Sequence, residues 1–162
     1  MAERIAARRV FTDPVLWLAF GFGSGLAPRA PGTAGTLMAI PLFLLLDRLP
    51  FSGYLLATAL VTLIGIWICG RASKTLGVHD HPGIVWDEFA GFLIVMAVAP
   101  DGWQGLVVGF ALFRLFDIWK PWPIGWVDRK VHGGLGIMLD DVLAGLMAAA
   151  VLWSAGLLLA VD

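Results

Sequence analysis

Cysteine and charged residues are scarce in this sequence, and each scarcity excludes a class of protein. Cys69 is the single cysteine, so no internal disulfide can form, and the chain has neither a CxxC zinc motif nor a thiol redox pair. Charged residues make up only 14% of the chain and give a net charge of −1. A protein that binds nucleic acid requires a clear basic surplus, so a nucleic-acid partner is excluded.

Apolar residues are abundant instead, at 59% of 162 residues, with a mean hydropathy of +0.86. An average soluble domain is about 45–50% apolar and about 25% charged. A soluble domain of this size could not bury so much apolar surface, because small domains bury only part of what they expose. The composition therefore predicts one all-α membrane-embedded domain spanning residues 1–162. Residues 1–13 lack the apolar core of a secretory signal and are expected to form a basic cytoplasmic segment on anionic lipid.

Five hydrophobic stretches predict about five membrane crossings. They are Thr33–Leu46, Gly53–Gly70, Phe89–Pro100, Gly102–Phe116 and Leu143–Val161. A full crossing needs about 20 residues, so the shorter stretches are expected to end in a protein-lined polar cavity. Ahead of them, Val15–Leu26 is apolar but rich in glycine, which favours a re-entrant or interfacial segment over a full crossing.

The distribution of basic residues predicts the orientation. With five crossings and a cytoplasmic N-terminus, every Lys and Arg except Arg48 falls in or next to an inner segment. The acidic residues and all three histidines between residues 79 and 141, apart from Asp101, fall at the same boundary. Such one-sided chemistry is typical of an enzyme acting on inner-leaflet lipid. A divalent-cation transporter, the main alternative, would place carboxylates along a path across the membrane. A non-catalytic lipid-binding scaffold, the third possibility, would not need so many carboxylates.

Two pairs of adjacent carboxylates, Asp87-Glu88 and Asp140-Asp141, are each predicted to open an apolar helix. One acid of each pair could simply stabilise a helix N-terminus through capping or the helix dipole. Two such pairs on the same membrane face favour a metal site. Arg114, Asp117 and Lys120 are spaced by three and share one helical side, either as a salt-bridge ladder or with Asp117 on a metal and a cation on phosphate.

Glycines and hydroxyls in Gly23–Gly25 and in Pro31–Thr36 could present backbone N–H groups to an anion. No lysine follows them in the Walker pattern, and the glycines could equally serve helix packing. The histidines are either solvated loop residues or groups that deliver a proton to a leaving oxygen.

Carboxylates beside a phosphate monoester would repel it, whereas a divalent ion held by those carboxylates reverses the local charge and polarises the phosphoryl oxygens. Magnesium typically takes one or two carboxylates together with water and substrate phosphate. The residues alone thus predict metal-dependent phosphoryl chemistry on an anionic substrate at the inner surface.

Long motifs also make the chain similar to the phosphatidylglycerophosphatase A family. The resemblance covers nearly the whole chain, from about Gly21 to about Ala150. It rests on Gly21–Thr36, on Gly77–His81 with Ile84–Glu88, on Phe113-Arg114 with Phe116–Pro123, on Asp128-Arg129 with Val131–Gly134, and on Gly136–Asp141 with Ala144-Gly145.

The resemblance implies a magnesium-dependent hydrolase of the bacterial cytoplasmic membrane that converts phosphatidylglycerophosphate to phosphatidylglycerol and inorganic phosphate. Family likeness assigns no residue-level mechanism, so the roles that follow are expectations from the residues. Metal ligands are expected at Glu88, Asp117 and Asp141, and substrate contacts at Arg29, Thr33, His81 and Lys120. Catalytic groups are expected at Asp87, His132 and Asp140. Small residues in Leu143–Gly156 would also permit pairing between subunits of a homo-oligomer.

Overall fold

The computed structural model describes the backbone of residues 5–159 and the side chains of residues 5–156. Over this range the chain is all-helical, which confirms the predicted class. The α-helices are α1 (Ala7–Thr12), α2 (Pro14–Ala19), α3 (Pro31–Leu46), α4 (Phe51–Leu76), α5 (Trp86–Met96), α6 (Trp103–Trp119), α7 (Ile124–Lys130) and α8 (Gly133–Leu159), and a 3-10 helix spans Gly21–Leu26.

The N-terminal part consists of short helices that lie against the bundle. Asp13 caps α2, because its Oδ1 accepts hydrogen bonds from the backbone N–H groups of Val15, at 2.9 Å, and Leu16, at 3.2 Å. The 3-10 helix then bends through residues with positive φ. The predicted re-entrant or interfacial segment is thus α2 followed by the 3-10 helix, each only six residues long. Of the predicted basic segment, residues 1–4 lie outside the described range, and α1 forms most of the remainder.

The five longer helices alternate in direction, so their ends gather into two groups. The Tyr54 hydroxyl near the start of α4 donates to the backbone carbonyl of Leu93 near the end of α5, at 2.7 Å. At the other end of the bundle, Gly70 of α4 lies against Gly134 at the start of α8. This second end, where α5 and α8 begin and α4 and α6 finish, carries the charged motifs. We call it the charged end.

Helix α5 occupies the centre of the bundle and packs most extensively on α8, then on α3 and α4. Most of its side chains are buried, including Phe89, Phe92 and Leu93. It has 11 residues and is therefore about 16 Å long, roughly half the thickness of a hydrocarbon core.

Helix α8 differs from the sequence-based expectation. Asp140 and Asp141 were expected to open the last helix, but α8 begins at Gly133, so both lie about two turns inside it. Gly134 in the first turn of α8 allows close packing on α4: a Cβ there would lie 1.9 Å from the Ile66 carbonyl oxygen. A capping role for Asp140 or Asp141 is therefore wrong.

Among the described residues, two helices are long and apolar enough to cross a membrane, Phe51–Leu76 and the stretch Gly133–Gly156 of α8. The predicted crossing Thr33–Leu46 corresponds to α3, a shorter apolar helix. The end of the predicted stretch Leu143–Val161 lies outside the described residues.

Candidate active site

Three helices contribute to a buried ion-pair group at the charged end. The Arg114 guanidinium of α6 forms short ion pairs through Nη1 with Glu88 Oε2 of α5 and, at 2.7 Å, with Asp117 Oδ2 one turn along α6. The Thr36 hydroxyl of α3 donates to the same Glu88 oxygen at 2.8 Å. Gly32 leaves room for this group, since a Cβ there would lie 2.1 Å from Glu88 Oε1.

A second ion-pair group lies where α6, α7 and α8 meet. The Lys120 ammonium contacts Asp128 Oδ1 at 2.6 Å and Asp140 Oδ2 at 2.7 Å. Lys120 directs its side chain there because it ends α6 in a left-handed conformation, with φ of 45°. Burial alone would lower the pKa of Lys120, but its hydrogen bonds to Asp128 and Asp140 outweigh burial and raise the pKa above its ordinary value. Lys120 therefore stays charged at neutral pH.

Asp141 lies close enough to both groups to interact with their charges. Its carboxylate is buried and interacts electrostatically with Glu88 and Asp117 of the first group, with Asp140 of the second, and with Asp87. Asp141 Oδ2 and Asp140 Oδ1 are buried without a hydrogen-bond partner among the described residues. Buried carboxylate oxygens are normally paired or bound to a metal, so these two oxygens fit a bound cation.

The predicted metal ligands Glu88, Asp117 and Asp141 are thus brought together with Asp87 and Asp140. Glu88 and Asp117 share one arginine, however. Within residues 5–159 no group of three or more His, Cys, Asp or Glu side chains is already arranged as a metal-binding cluster.

The other predicted site residues lie around this centre at the same end. Arg29 is exposed and forms no ion pair with any described residue, and Thr33 lies in the first turn of α3. His81 is buried; its Nδ1 accepts from the backbone N–H of Gly83 at 3.0 Å, and it lines a cavity of about 240 Å³ with Pro28 and Pro31.

His132 lies in an exposed corner of the same end. Its ring packs edge-to-face on that of His79 with centroids 4.9 Å apart, and the Gly133 N–H donates to His79 Nε2 at 2.8 Å. The loop that carries His79 also brings Asp80 into electrostatic contact with Lys120 and Asp128.

Sequence reasoning gave no site role to Asp128 or Thr36, and it considered Arg114 only as part of the set Arg114, Asp117 and Lys120. The three-residue spacing of Arg114 and Asp117 was the signal for the first contact, and the expected ladder is correct for that pair but wrong for Lys120, which turns away to α7 and α8. No local sequence pattern predicts that Asp128 pairs with Lys120, 8 positions away, or that Thr36 bonds Glu88, 52 positions away.

Comparison with known proteins supplies a family. The family model for Phosphatidylglycerophosphatase A matches residues 17–155. The chain is 49% identical over 151 residues to Phosphatidylglycerophosphatase A of Escherichia coli K12, covering 93% of this chain and 88% of that protein. It is 48% identical over 147 residues to the protein of the same name from Haemophilus influenzae, covering 88% of each.

A third relative comes from Bacteroides thetaiotaomicron. It is 43% identical over 140 residues, covering 82% of this chain and 86% of that protein, and it is named, provisionally, as a phosphatidylinositol-3-phosphatase. No solved structure matches the chain.

Proposed function

The chain belongs to the phosphatidylglycerophosphatase A family, and we propose that it hydrolyses phosphatidylglycerophosphate to phosphatidylglycerol and inorganic phosphate with the help of Mg²⁺. One observation carries this proposal. Carboxylates from α5, α6 and α8 converge at one end of the bundle, and two of their buried oxygens have no partner.

The charge of the site favours a bound cation. Arg114 and Lys120 are outnumbered by the carboxylates around them, so a phosphate monoester would be repelled. Glu88, Asp117 and Asp141 would hold Mg²⁺, with Asp140 Oδ1 beside them. When bound, the ion neutralises the carboxylates and polarises the phosphoryl group.

The ion pairs position the carboxylates before substrate arrives. Arg114 fixes Glu88 and Asp117, and Lys120 fixes one oxygen of Asp140 while the other stays unpaired. We assign Asp87 and Asp140 to accepting the proton of an attacking water. We assign His132 to protonating the leaving glycerol oxygen.

Substrate contacts are proposed at the rim of the site. Arg29 is exposed and has its charge available for the phosphate. His81 lines a cavity with Pro28 and Pro31, and Thr33 follows Pro31 in the first turn of α3; both are proposed to meet the headgroup. Lys120 is less suited to this role than the sequence suggested, since two carboxylates already take up its charge.

The membrane arrangement belongs to the same proposal. Large apolar side chains are exposed on α3, α4, α6 and α8, for example Leu45, Leu63, Leu115 and Trp153. These would face lipid, while the short α5 is enclosed by protein. Five crossings with the charged end in the cytoplasm of a bacterial inner membrane would place the site at the inner headgroups.

The test is phosphate release from phosphatidylglycerophosphate in mixed micelles by purified protein. Activity is expected to disappear in EDTA and to return with Mg²⁺. Asp141→Asn is expected to lower kcat at least about 100-fold, the usual cost of losing one charge-stabilising group, while Asp101→Asn at the opposite end has no effect.

Two results would count against the proposal: full turnover after metal removal, or an Asp141→Asn protein as active as wild type. Substrate choice is settled by assaying phosphatidylinositol 3-phosphate in parallel, because a relative is named for it. Mg²⁺ uptake into proteoliposomes, without phosphatase activity, would favour the transporter alternative.

A further inference from the structure

An apolar groove of about 440 Å³ runs beside the candidate site on the outside of the bundle. Met38 and Leu42 of α3 form one wall, Leu60 and Ile64 of α4 form the other, and Trp86 and Phe89 of α5 form the floor. The lining contains no ionisable side chain among the described residues. Leu60 and Ile64 are about half exposed, at 49% and 51%, so the groove is open at these two residues.

The groove exists because α3 and α4, although consecutive in the chain, make few contacts with each other. Both pack instead on α5, which leaves a cleft between them. From Ile68 to Leu60 the α4 wall extends about 12 Å along the helix axis. This wall runs from near the charged end towards the middle of the bundle.

A strained turn adds the ring of Phe22 to the lining of the groove. Phe22 has φ of 59°, a left-handed conformation that is costly for a residue with a Cβ, and Gly21 and Gly23 on either side also have positive φ. The turn holds the Phe22 ring against Trp17, with centroids 5.0 Å apart, and against Trp86 and Phe89, each at 6.2 Å. This gives a local reason for the Gly-Phe-Gly sequence that anion binding does not.

Groove and site share the same short stretches of chain. Trp86 and Phe89 of the floor flank Asp87 and Glu88 in the sequence. One face of this turn of α5 therefore lines the groove, and the other carries the carboxylates of the site. On α3, Thr36 bonds Glu88, and Met38 two residues later lines the groove. A molecule bound with its phosphate at the carboxylates would therefore have an apolar groove close by, within one turn of α5.

We propose that this groove holds one acyl chain of the lipid substrate and thereby places the phosphate at the carboxylates. The inference rests on the proposed function, since it requires a substrate that carries both a phosphate and long chains. A lipid tail leaves an environment already as apolar as the groove, so binding gains little from the hydrophobic effect. The groove acts by positioning, because small displacements of a reacting group cost large factors in rate.

Adjacent residues of α4 provide a matched pair of variants. Ile64→Trp fills the groove, whereas Leu63→Trp adds the same ring at a position 63% exposed that does not line it. Each variant is assayed on a diacyl substrate with long chains and on an analogue that has the same glycerol phosphate headgroup but very short chains. For Ile64→Trp the ratio of long-chain to short-chain kcat/KM is expected to fall at least about tenfold. Leu63→Trp should keep the wild-type ratio.

Equal ratios for Ile64→Trp, Leu63→Trp and wild type would overturn the proposed role of the groove while leaving the phosphatase proposal intact.

A binding measurement tests the groove without measuring turnover: a diacyl lipid phosphate with a photoactivatable group in its tail is crosslinked to the protein. Labelling concentrated on the groove walls of α3 and α4, and reduced in Ile64→Trp, supports the inference. Labelling spread evenly over all apolar helices contradicts it. Wild-type protein that is labelled in the groove but releases no phosphate would count against the proposed phosphatase function alone.

Discussion

Arg114 is the residue on which the geometry of the site depends most. A single guanidinium nitrogen bridges carboxylates of α5 and α6, and all three side chains are largely buried. Without a cation between them, Glu88 and Asp117 would repel each other in a medium that screens charge poorly. Arg114 therefore both stabilises the fold and holds two of the proposed metal ligands in place.

Replacing Arg114 should accordingly affect stability and activity together. Arg114→Gln leaves two buried carboxylates without their partner, and the free energy of unfolding is expected to fall by about 3–5 kcal/mol. Phosphate release should drop at least about 100-fold. Arg114→Lys keeps the charge and should recover part of both. The checks are thermal unfolding in detergent and the phosphate assay, with Arg48→Gln at the opposite end as control.

Metal dependence separates this account from simple loss of packing. If electrostatic repulsion destabilises Arg114→Gln, added Mg²⁺ should raise its Tm by more than it raises that of wild type, because the ion replaces the missing cation. An equal Tm increase in both proteins would mean that the carboxylates do not share a metal.

Lys120 marks the limit of sequence reasoning at this scale. Its charge and position suggested a phosphate ligand, and the three-residue spacing suggested that it continues the Arg114–Asp117 side of α6. The left-handed turn at Lys120 instead sends the side chain to Asp128 and Asp140. Residue types showed that charges would gather at one end, but a backbone conformation at one position decided which charges meet.

At the scale of elements, the contact between α5 and α8 carries the site. Gly91 of α5 and Gly145 of α8 let the two backbones approach closely: a Cβ on Gly145 would lie 2.4 Å from the Gly91 carbonyl oxygen, and one on Gly91 would lie 2.6 Å from the Asp141 carbonyl oxygen. Asp141 sits one turn before Gly145 on α8. The spacing of these helices therefore sets the position of a proposed ligand.

Gly145→Ala should disturb this contact. Because the added methyl group meets backbone and not a flexible side chain, the helices must separate. The expected loss is about 1–3 kcal/mol of unfolding free energy, together with a lower kcat as Asp141 shifts. Gly156→Ala, in the same helix and with no described atom within 4 Å of its Cβ, is the matched control and should cost no stability. Thermal unfolding and phosphate release of the two variants would check this. Equal stability and equal activity in both would show that the α5–α8 interface accommodates the added methyl group.

Helix positions could be predicted from the sequence where apolar runs are long. They could not be predicted where glycines interrupt the apolar pattern. The runs that became α3 and α6 and the start of α4 were located within a few residues, whereas the predicted stretch Gly53–Gly70 stopped well short of the end of α4 at Leu76. The start of α8 was missed by several residues, because Gly133, Gly134 and Gly136 look like a loop in sequence, and the close approach of Gly134 to α4 appears only in three dimensions. Helix α5 was recognised, but its central position depends on contacts with four partners that no local pattern contains.

At the scale of the whole molecule, the charge distribution is the feature that ties fold to function. Among residues 5–159 the carboxylates of the proposed site and most basic residues lie at the charged end, while the opposite end carries Asp47, Arg48 and Asp101. A phosphatase of inner-leaflet lipid requires only that the charged end face the cytoplasm. The number of crossings then decides on which side each loop lies.

Cysteine labelling distinguishes five crossings from two. Cys69 is fully buried, so native protein should react little with a membrane-impermeant maleimide. Asp101→Cys and Lys130→Cys place exposed thiols at opposite ends of the bundle. If α3, α4, α5, α6 and α8 each cross, Asp101→Cys should label in intact spheroplasts and Lys130→Cys only in inverted vesicles. If only α4 and α8 cross, everything between them stays on one side and both thiols label together. Labelling of both positions from the same side would therefore reject five crossings, whereas opposite sidedness requires α5 and α6, short as α5 is, to carry the chain through the membrane.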